Sequence, residues 1–268
     1  MKRILHSEPF LSLKKSKLLL PVSIVNPEAV NPVLLICEHA SSYIPPEFRG
    51  LGLTEEEQKS HIAWDPGALC VAEKLSHLLG ATLISATHSR LLYDCNRPPE
   101  AKDAIPEKSE HFVIPGNVGL SEAERVDRVE TFYNPVRDSI RDAIRLFSVP
   151  PAIVTIHSFT PVYFGRKRDV ELGILHDDDT SLADAMLSVA SSVDSLVIRR
   201  NEPYSAADGV THTLKVHGVD NSLKNVMLEI RNDLIATEEQ CGKMAKMLYS
   251  LTGEALRHCG VDIRQGGF

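Results

Sequence analysis

A chain of 268 residues, 43% hydrophobic and 24% charged, is long enough to bury a substantial core and has the composition of a globular protein. Its formal net charge of −7 argues against nucleic acid as a partner, since that needs a clustered basic face. No apolar run approaches the roughly 18 residues of a membrane span, and the five cysteines are scattered with no C-x-x-C pair, which excludes a zinc ribbon or a disulfide framework.

These cysteines lead us to expect a reducing, cytoplasmic setting. The N-terminal 25 residues begin basic but break their apolar segments with charges and proline, unlike a secretory signal.

The elements follow in chain order. Residues 32–37 (PVLLIC) read as a strand. TEEE at 54–57 is a capping-box helix start. A helix follows Pro66, carries Leu69, Ala72, Leu75 and Leu79 on one face, and stops at Gly80. Residues 81–86 (ATLISA) form the next strand, and the proline- and charge-rich stretch 98–119 reads as a long loop of the kind that walls a substrate site. SEAE at 121–124 caps a helix whose stripe runs through Val126, Val129, Tyr133, Val136, Ile140, Ile144 and Phe147. Strands follow at 152–156 (AIVTI), 171–175 (ELGIL), 195–199 (SLVIR) and 225–230 (NVMLEI), with a second long loop over 201–218 and a third capping box, TEEQ, at 237–240. Within the first of these gaps, GRKRD at 165–169 is either a solvated loop or a loop that turns its charges on an anionic substrate.

Strand runs that are nearly continuously apolar belong in the middle of a sheet covered on both faces. Their alternation with helices predicts an α/β fold: one domain over residues 1–268, with a mostly parallel or mixed central sheet flanked by helices.

Three of the strands end in ionisable residues. Glu38 and His39 follow the first, His157 follows AIVTI with a turn expected at once, and Glu229 and Arg231 interrupt the last. An unpaired buried charge costs several kcal/mol, so three such ends call for a shared partner. A divalent metal held by the histidines would supply it, leaving an open position for water. In DCNRP, Asp94, Asn96 and Arg97 alternate with apolar neighbours. An arginine beside an asparagine is a receptor for a substrate carboxylate; the other reading is a surface turn tied by an Asp–Arg pair.

These segments resemble a known pattern. TIHSFTP resembles the zinc carboxypeptidase strand that ends at a metal-binding histidine, LEIRND the strand bearing that superfamily's general base, and DCNRP its carboxylate-gripping Asn-Arg pair. More closely, CEHASSYIPPEF, HIAWDPGA, SRLLYDCNRPPE, IHSFTP, NEPYSAADGVTHTL…HG and EIRNDLI together resemble the N-formylglutamate amidohydrolase family, over about residues 33–235. The resemblance implies a phosphorylase/hydrolase-like α/β fold, as in zinc carboxypeptidases. It implies His39 and His157 as ligands of zinc or another divalent metal, Glu229 as the base, and Asn96 with Arg97 as the carboxylate clamp.

Where the carboxypeptidase pattern puts a glutamate three residues after the first histidine, this chain has Ser42, a poor ligand. The third ligand is then Asp65 or, failing that, Glu38, which on a regular strand points away from His39. Asp65 also suits a helix N-cap, because Pro66 follows it. Arg90 and Arg231 are candidates for a second substrate carboxylate or the oxyanion, with Arg231 alternatively paired to Glu229 or Asp233. His217 is a candidate substrate contact, and Tyr204 and Asp208 either line the same loop's pocket or anchor it. His88 and His212 lie in or near the matching blocks, whereas His6, His61, His77, His111, His176 and His258 read as structural or surface residues.

The expected activity is a metal-dependent amidohydrolase that cleaves the N-acyl (formyl) amide of an acidic amino acid such as N-formyl-L-glutamate, in amino-acid catabolism. Its partner is a small-molecule carboxylate. The alternatives are a carboxypeptidase-like hydrolase of another N-acyl amino acid or short peptide, or a carboxylate-binding protein without turnover. A serine nucleophile at Ser158 fits poorly, since it faces away from His157 and no G-x-S-x-G elbow is present. A cysteine nucleophile at Cys37 or Cys95 would need a paired base, and neither strand position suggests exposure.

Overall fold

Strands apolar on both sides need cover on both sides. The computed structural model, which describes residues 20–191 and 196–264, provides it with one seven-stranded sheet between helical layers. In chain order the strands are β1 (Val22–Val25), β2 (Val33–Cys37), β3 (Thr82–Ala86), β4 (Ala152–Phe159), β5 (Leu172–Leu175), β6 (Ile198–Arg200) and β7 (Asn225–Arg231). Side by side they run β1-β3-β2-β4-β7-β5-β6. The central four, β3, β2, β4 and β7, are parallel; β1 is antiparallel to β3 and β5 to β7, so the sheet is mixed.

Side-chain alternation assigns the two faces. Apart from the short α1 (Glu55–Lys59), which buries no residue, helices cover both faces: Leu35, Cys37, Val154, Ile156, Val226 and Leu228 pack beneath α2 (Ala68–Leu79), α5 (Ser181–Ala190) and α6 (Glu238–His258). Leu34, Ile36, Ile84 and Ile153 meet Phe132, Val136 and Ile140 on the other face. Thr54, Ser121 and Thr237 each complete the expected capping box, and α2 stops at Gly80 in a left-handed conformation (φ +56°).

Four details depart from the sequence reading. β4 does not turn after Ile156 but continues through His157 and Ser158 to Phe159, because β7 pairs with it to its end. β1 was not expected: VSIV is a short, half-exposed edge strand without a continuous apolar run. The stripe from Val126 to Phe147 is not one helix. A π-helical turn (Val129–Tyr133) separates α3 (Glu122–Arg128) from α4 (Asn134–Leu146), and its wider turn rotates the phase, leaving Val126 44% exposed while Phe132 and Tyr133 are both buried. β6 begins at Ile198; Ser195 of the expected strand lies outside the described residues, as do His6 and the first 19 positions. Among the described residues no helix is long and apolar enough to cross a membrane.

The loop over 201–218 is pressed onto the sheet at Gly173 of β5, where an added Cβ would meet the Glu202 carbonyl oxygen at 1.9 Å. Backbone cannot yield as a side-chain tip does. Gly173→Ala is therefore expected to cost at least about 2 kcal/mol, read as a lower urea midpoint, and a midpoint within error of the parent would show that the loop is not pinned there.

Candidate active site

Register brings the first two functional side chains together. Glu229 of β7 is the partner of His157 on β4, and both lie at the carboxyl ends of parallel strands, where open α/β sheets place their ligands. His157 shares its face with Ile153 and Thr155; Ser158 points the other way and donates to the Pro66 carbonyl at 2.8 Å. His39 follows β2, and its carbonyl accepts the Asp65 N–H at 2.9 Å, fixing the segment just before α2.

His39, Asp65 and His157 are thus gathered, and all are buried. Asp65 Oδ2 lies 3.3 Å from His39 Nδ1 and 3.0 Å from His157 Nδ1, and the two Nδ1 atoms are 3.2 Å apart. Three ligands at zinc–nitrogen and zinc–oxygen distances in a tetrahedron are separated by about 3.3 Å. The donor triangle fits such an ion in both size and chemistry. Asp65 does not serve as the cap of α2: the capping position is Gly67, and Asp65 Oδ2 instead accepts the Ser158 N–H at 3.2 Å.

Each imidazole turns its other nitrogen to a carboxylate. His39 Nε2 is 2.7 Å from Asp94 Oδ1, and Asp94 in turn accepts two bonds from Arg90, at 2.5 and 3.1 Å. Glu38 stands behind His157, its Oε2 3.2 Å from Nε2 but misaligned for a hydrogen bond. A carboxylate that accepts the outer N–H, as Asp94 does at His39, fixes a ligand histidine's tautomer and raises its basicity, whereas Glu38 acts on His157 through its charge. Glu38 therefore backs a histidine and does not join the triangle.

The electrostatics reflect crowding. Burial pulls the His157 pKa down, yet Glu38 and Asp65 override it and raise it well above its ordinary value. Burial and Arg90 oppose the same rise at His39, where Asp94 and Asp65 prevail. With both imidazoles neutral, four buried carboxylates (Glu38, Asp65, Asp94, Glu229) face the single guanidinium of Arg90 in this cluster. A divalent cation would replace the protons that the raised imidazole pKa values otherwise keep in the cluster. Glu229 differs from its neighbours: burial pushes its pKa up to about 7, and its Oε2 has no hydrogen-bond partner.

These groups open onto a cavity of about 280 Å³ that also admits Arg90, Asn96, Arg97 and Tyr204. Asn96 is more constrained than expected. Its Nδ2 donates to the Val210 carbonyl at 2.5 Å and its Oδ1 accepts the Thr213 N–H at 3.0 Å, leaving one amide N–H for a ligand. Arg97 bonds Asp103 through Nε at 2.7 Å and the Asn96 carbonyl through Nη1, which leaves Nη2 free.

Two expected contacts are corrected. Arg231 is not among the cavity residues, because Glu171 (3.1 Å) and Asp233 (2.8 Å) hold its guanidinium away, and it does not pair with Glu229. His217 is likewise buried outside the lining, and burial lowers its pKa to about 4. Asp208 caps the short turn at Ser205. His88 is a core residue against Phe132, its pKa lowered to about 3 by burial, and His212 bonds the Tyr133 hydroxyl at 2.8 Å. Burial drives the Cys37 and Cys95 thiols well up, the His88 that lies 3.9 Å from Cys95 is itself made a weak base by burial, and the Ser158 hydroxyl is engaged with Pro66, so none of these three is set up as a nucleophile.

Sequence reasoning missed the outer wall. Glu110 Oε2 lies 2.9 Å from His61 Nε2 and its Oε1 accepts the Phe164 N–H at 3.1 Å, tying three separate loops together at the rim. Nothing in the pattern around His61 signals a partner 49 positions away.

A mixed α/β sheet with a buried His–Asp–His triangle and an unpartnered carboxylate at its parallel strand ends defines an α/β enzyme-type domain with a preformed polar site. The chain belongs to the N-formylglutamate amidohydrolase family, whose sequence profile matches residues 31–236, and membership makes it an amidohydrolase. It is 51% identical to the Atu2144 gene product of Agrobacterium tumefaciens, with a TM-score of 0.87 over 90% of this chain and 96% of that one. It shares its fold with N-formylglutamate amidohydrolase from Ralstonia eutropha JMP134, at 18% identity and a TM-score of 0.56 over 90% and 98% of the two chains. No curated protein sequence matches it.

Proposed function

We propose that the protein hydrolyses the N-acyl amide of an acidic amino acid, N-formyl-L-glutamate being the reference substrate, with zinc or another divalent ion as cofactor. The observation that carries this reading is the triangle of His39 Nδ1, His157 Nδ1 and Asp65 Oδ2 beside the unpartnered Glu229. His39, Asp65 and His157 would hold a divalent ion there, which would supply a lowered water pKa, toward about 7, and polarisation of the acyl carbonyl.

The chain's own groups do the rest. Asp94 holds the His39 ring with Nδ1 inward, and Glu38 places a negative charge behind the His157 ring, whose Nδ1 faces Asp65. Glu229 takes the proton of the attacking water at Oε2 and delivers it to the leaving nitrogen, so that the amine departs neutral. Arg97, through the edge that Asp103 leaves free, and the remaining Asn96 N–H hold the α-carboxylate. Arg90 keeps Asp94 and Asp65 in place from the cavity wall. All five cysteines are free thiols, which supports a reducing, cytoplasmic setting; a place in amino-acid catabolism follows from the proposed substrate class alone.

Glutamate release from N-formyl-L-glutamate by zinc-loaded protein tests the reading. It is expected to stop on chelation and return when zinc is restored. Unchanged turnover in protein stripped of metal removes the cofactor, and no release by the zinc-bound protein removes this substrate.

A further inference from the structure

We propose that the catalytic cavity continues into a cationic subsite centred on Arg168, which takes a carboxylate carried by the acyl group of the substrate. This rests on the proposed amidohydrolase reading and names the substrate class within it: an acidic residue whose acyl group is itself acidic, as in a short acidic peptide.

Among the described residues Arg168 has no counter-ion. Its guanidinium carbon lies 4.3 Å from the ring centre of Tyr163, 4.9 Å from Tyr204 and 5.5 Å from Phe159. Nη1 donates to the Tyr204 hydroxyl at 3.0 Å and to the Thr160 carbonyl at 3.4 Å, while Nε and Nη2 have no partner. The other arginines near the site each hold a carboxylate: Arg90 those of Asp94 and Asp65, Arg97 that of Asp103, Arg231 those of Glu171 and Asp233. Stacking fixes the plane of a guanidinium, and a planar fork fixed in advance suits a carboxylate better than a mobile ammonium does.

The surroundings extend the argument. Arg168 borders an open groove of about 530 Å³ rimmed by Arg166, Lys167 and Arg199, none of which forms an ion pair among the described residues. Asp169 and Glu202 border it too, so cations outnumber acids there in a chain whose net charge is −7. Tyr163 lines both this groove and the catalytic cavity, so the two adjoin at its ring. Position along the sheet gives the direction. The loop carrying Arg97 leaves β3 and the segment carrying Arg168 enters β5, with the strands that lead to His39, His157 and Glu229 between them. A substrate anchored by its α-carboxylate at Arg97, with its amide over the cluster, thus runs its acyl part toward Arg168.

An isosteric pair of substrates isolates the charge: N-acetyl-Glu-Glu against N-acetyl-Gln-Glu, with N-formyl-Glu measured in the same samples. Wild type is expected to favour the Glu-Glu compound about tenfold in kcat/KM, less at high salt, where partly exposed charges are screened. Arg168→Gln, and separately Arg166→Gln with Lys167→Gln and Arg199→Gln, bring that ratio toward one. The three exposed positions keep the test open if the Arg168 variant does not fold. A ratio near one in wild type, or a high ratio untouched by both variants, overturns the subsite. If zinc-bound protein cleaves none of the three compounds, the parent reading fails, and calorimetric affinities for the same isosteric pair then decide the subsite by the same ratio.

Discussion

Glu229→Gln is expected to lower kcat by about 10²–10⁴-fold, the usual contribution of a positioned general base, while zinc content stays at the wild-type level. Glutamine keeps the volume and the neutral hydrogen-bonding capacity but cannot take a proton. The same substitution is expected to stabilise metal-free protein at alkaline pH. The ordinary glutamate pKa in an unfolded chain is near 4.3, whereas burial lifts that of folded Glu229 to about 7. Between those values the folded state holds a proton that the unfolded state has released, so stability falls as pH rises and the penalty is complete above 7. An amide carries no such penalty. The melting temperature of the variant should therefore pull ahead of wild type between pH 5 and pH 8, and a constant difference across that range would show that Glu229 is not strained by burial.

In the loaded enzyme the limb has a definite sign as well. The base must be ionised, so kcat/KM falls on the acid side, at or below pH 7, since a neighbouring divalent ion favours the carboxylate. A kcat within tenfold of wild type would remove Glu229 from the proton-transfer role.

What the sequence makes legible here is whatever interrupts a strong local pattern. His39, His157 and Glu229 stand out because each ends or breaks an apolar run, and the runs themselves predict central strands. Asp65 is visible only as a polar residue before a proline at a helix entrance; its approach to two histidines, 26 and 92 positions away, is a product of the sheet order. The same limit explains Arg231. Of its acidic neighbours in sequence, Asp233 does hold it, at 2.8 Å, and Glu229 does not; its second partner, Glu171 on the segment entering β5, lies 60 positions away. Asn96 reads as a free amide and is instead bonded to the 201–218 loop. The π-turn escapes a 3.6-residue template because apolar residues continue on both sides of it, and only the exposure of Val126 marks the shift.

Asp65→Asn is expected to weaken zinc binding by at least about 100-fold, more than the loss that follows removal of an outer carboxylate, with little change in melting temperature. The amide oxygen can still accept the Ser158 N–H that Asp65 Oδ2 accepts now, and α2 is capped at Gly67 without help from residue 65. What the amide lacks is the negative charge that lets one oxygen face two imidazole nitrogens at 3.0 and 3.3 Å and bind a cation between them. Glu38→Gln is the informative comparison. Glu38 sits behind His157, 3.2 Å from Nε2, so its loss should soften the ligand's orientation and basicity and weaken zinc by about 10–100-fold. The order of the two losses separates the roles: a larger loss at Asp65 makes it the third ligand. The reverse order, with Glu38→Gln stripped of metal and Asp65→Asn still loaded, would move the metal to the other side of the His157 ring and require His157 to bind through Nε2.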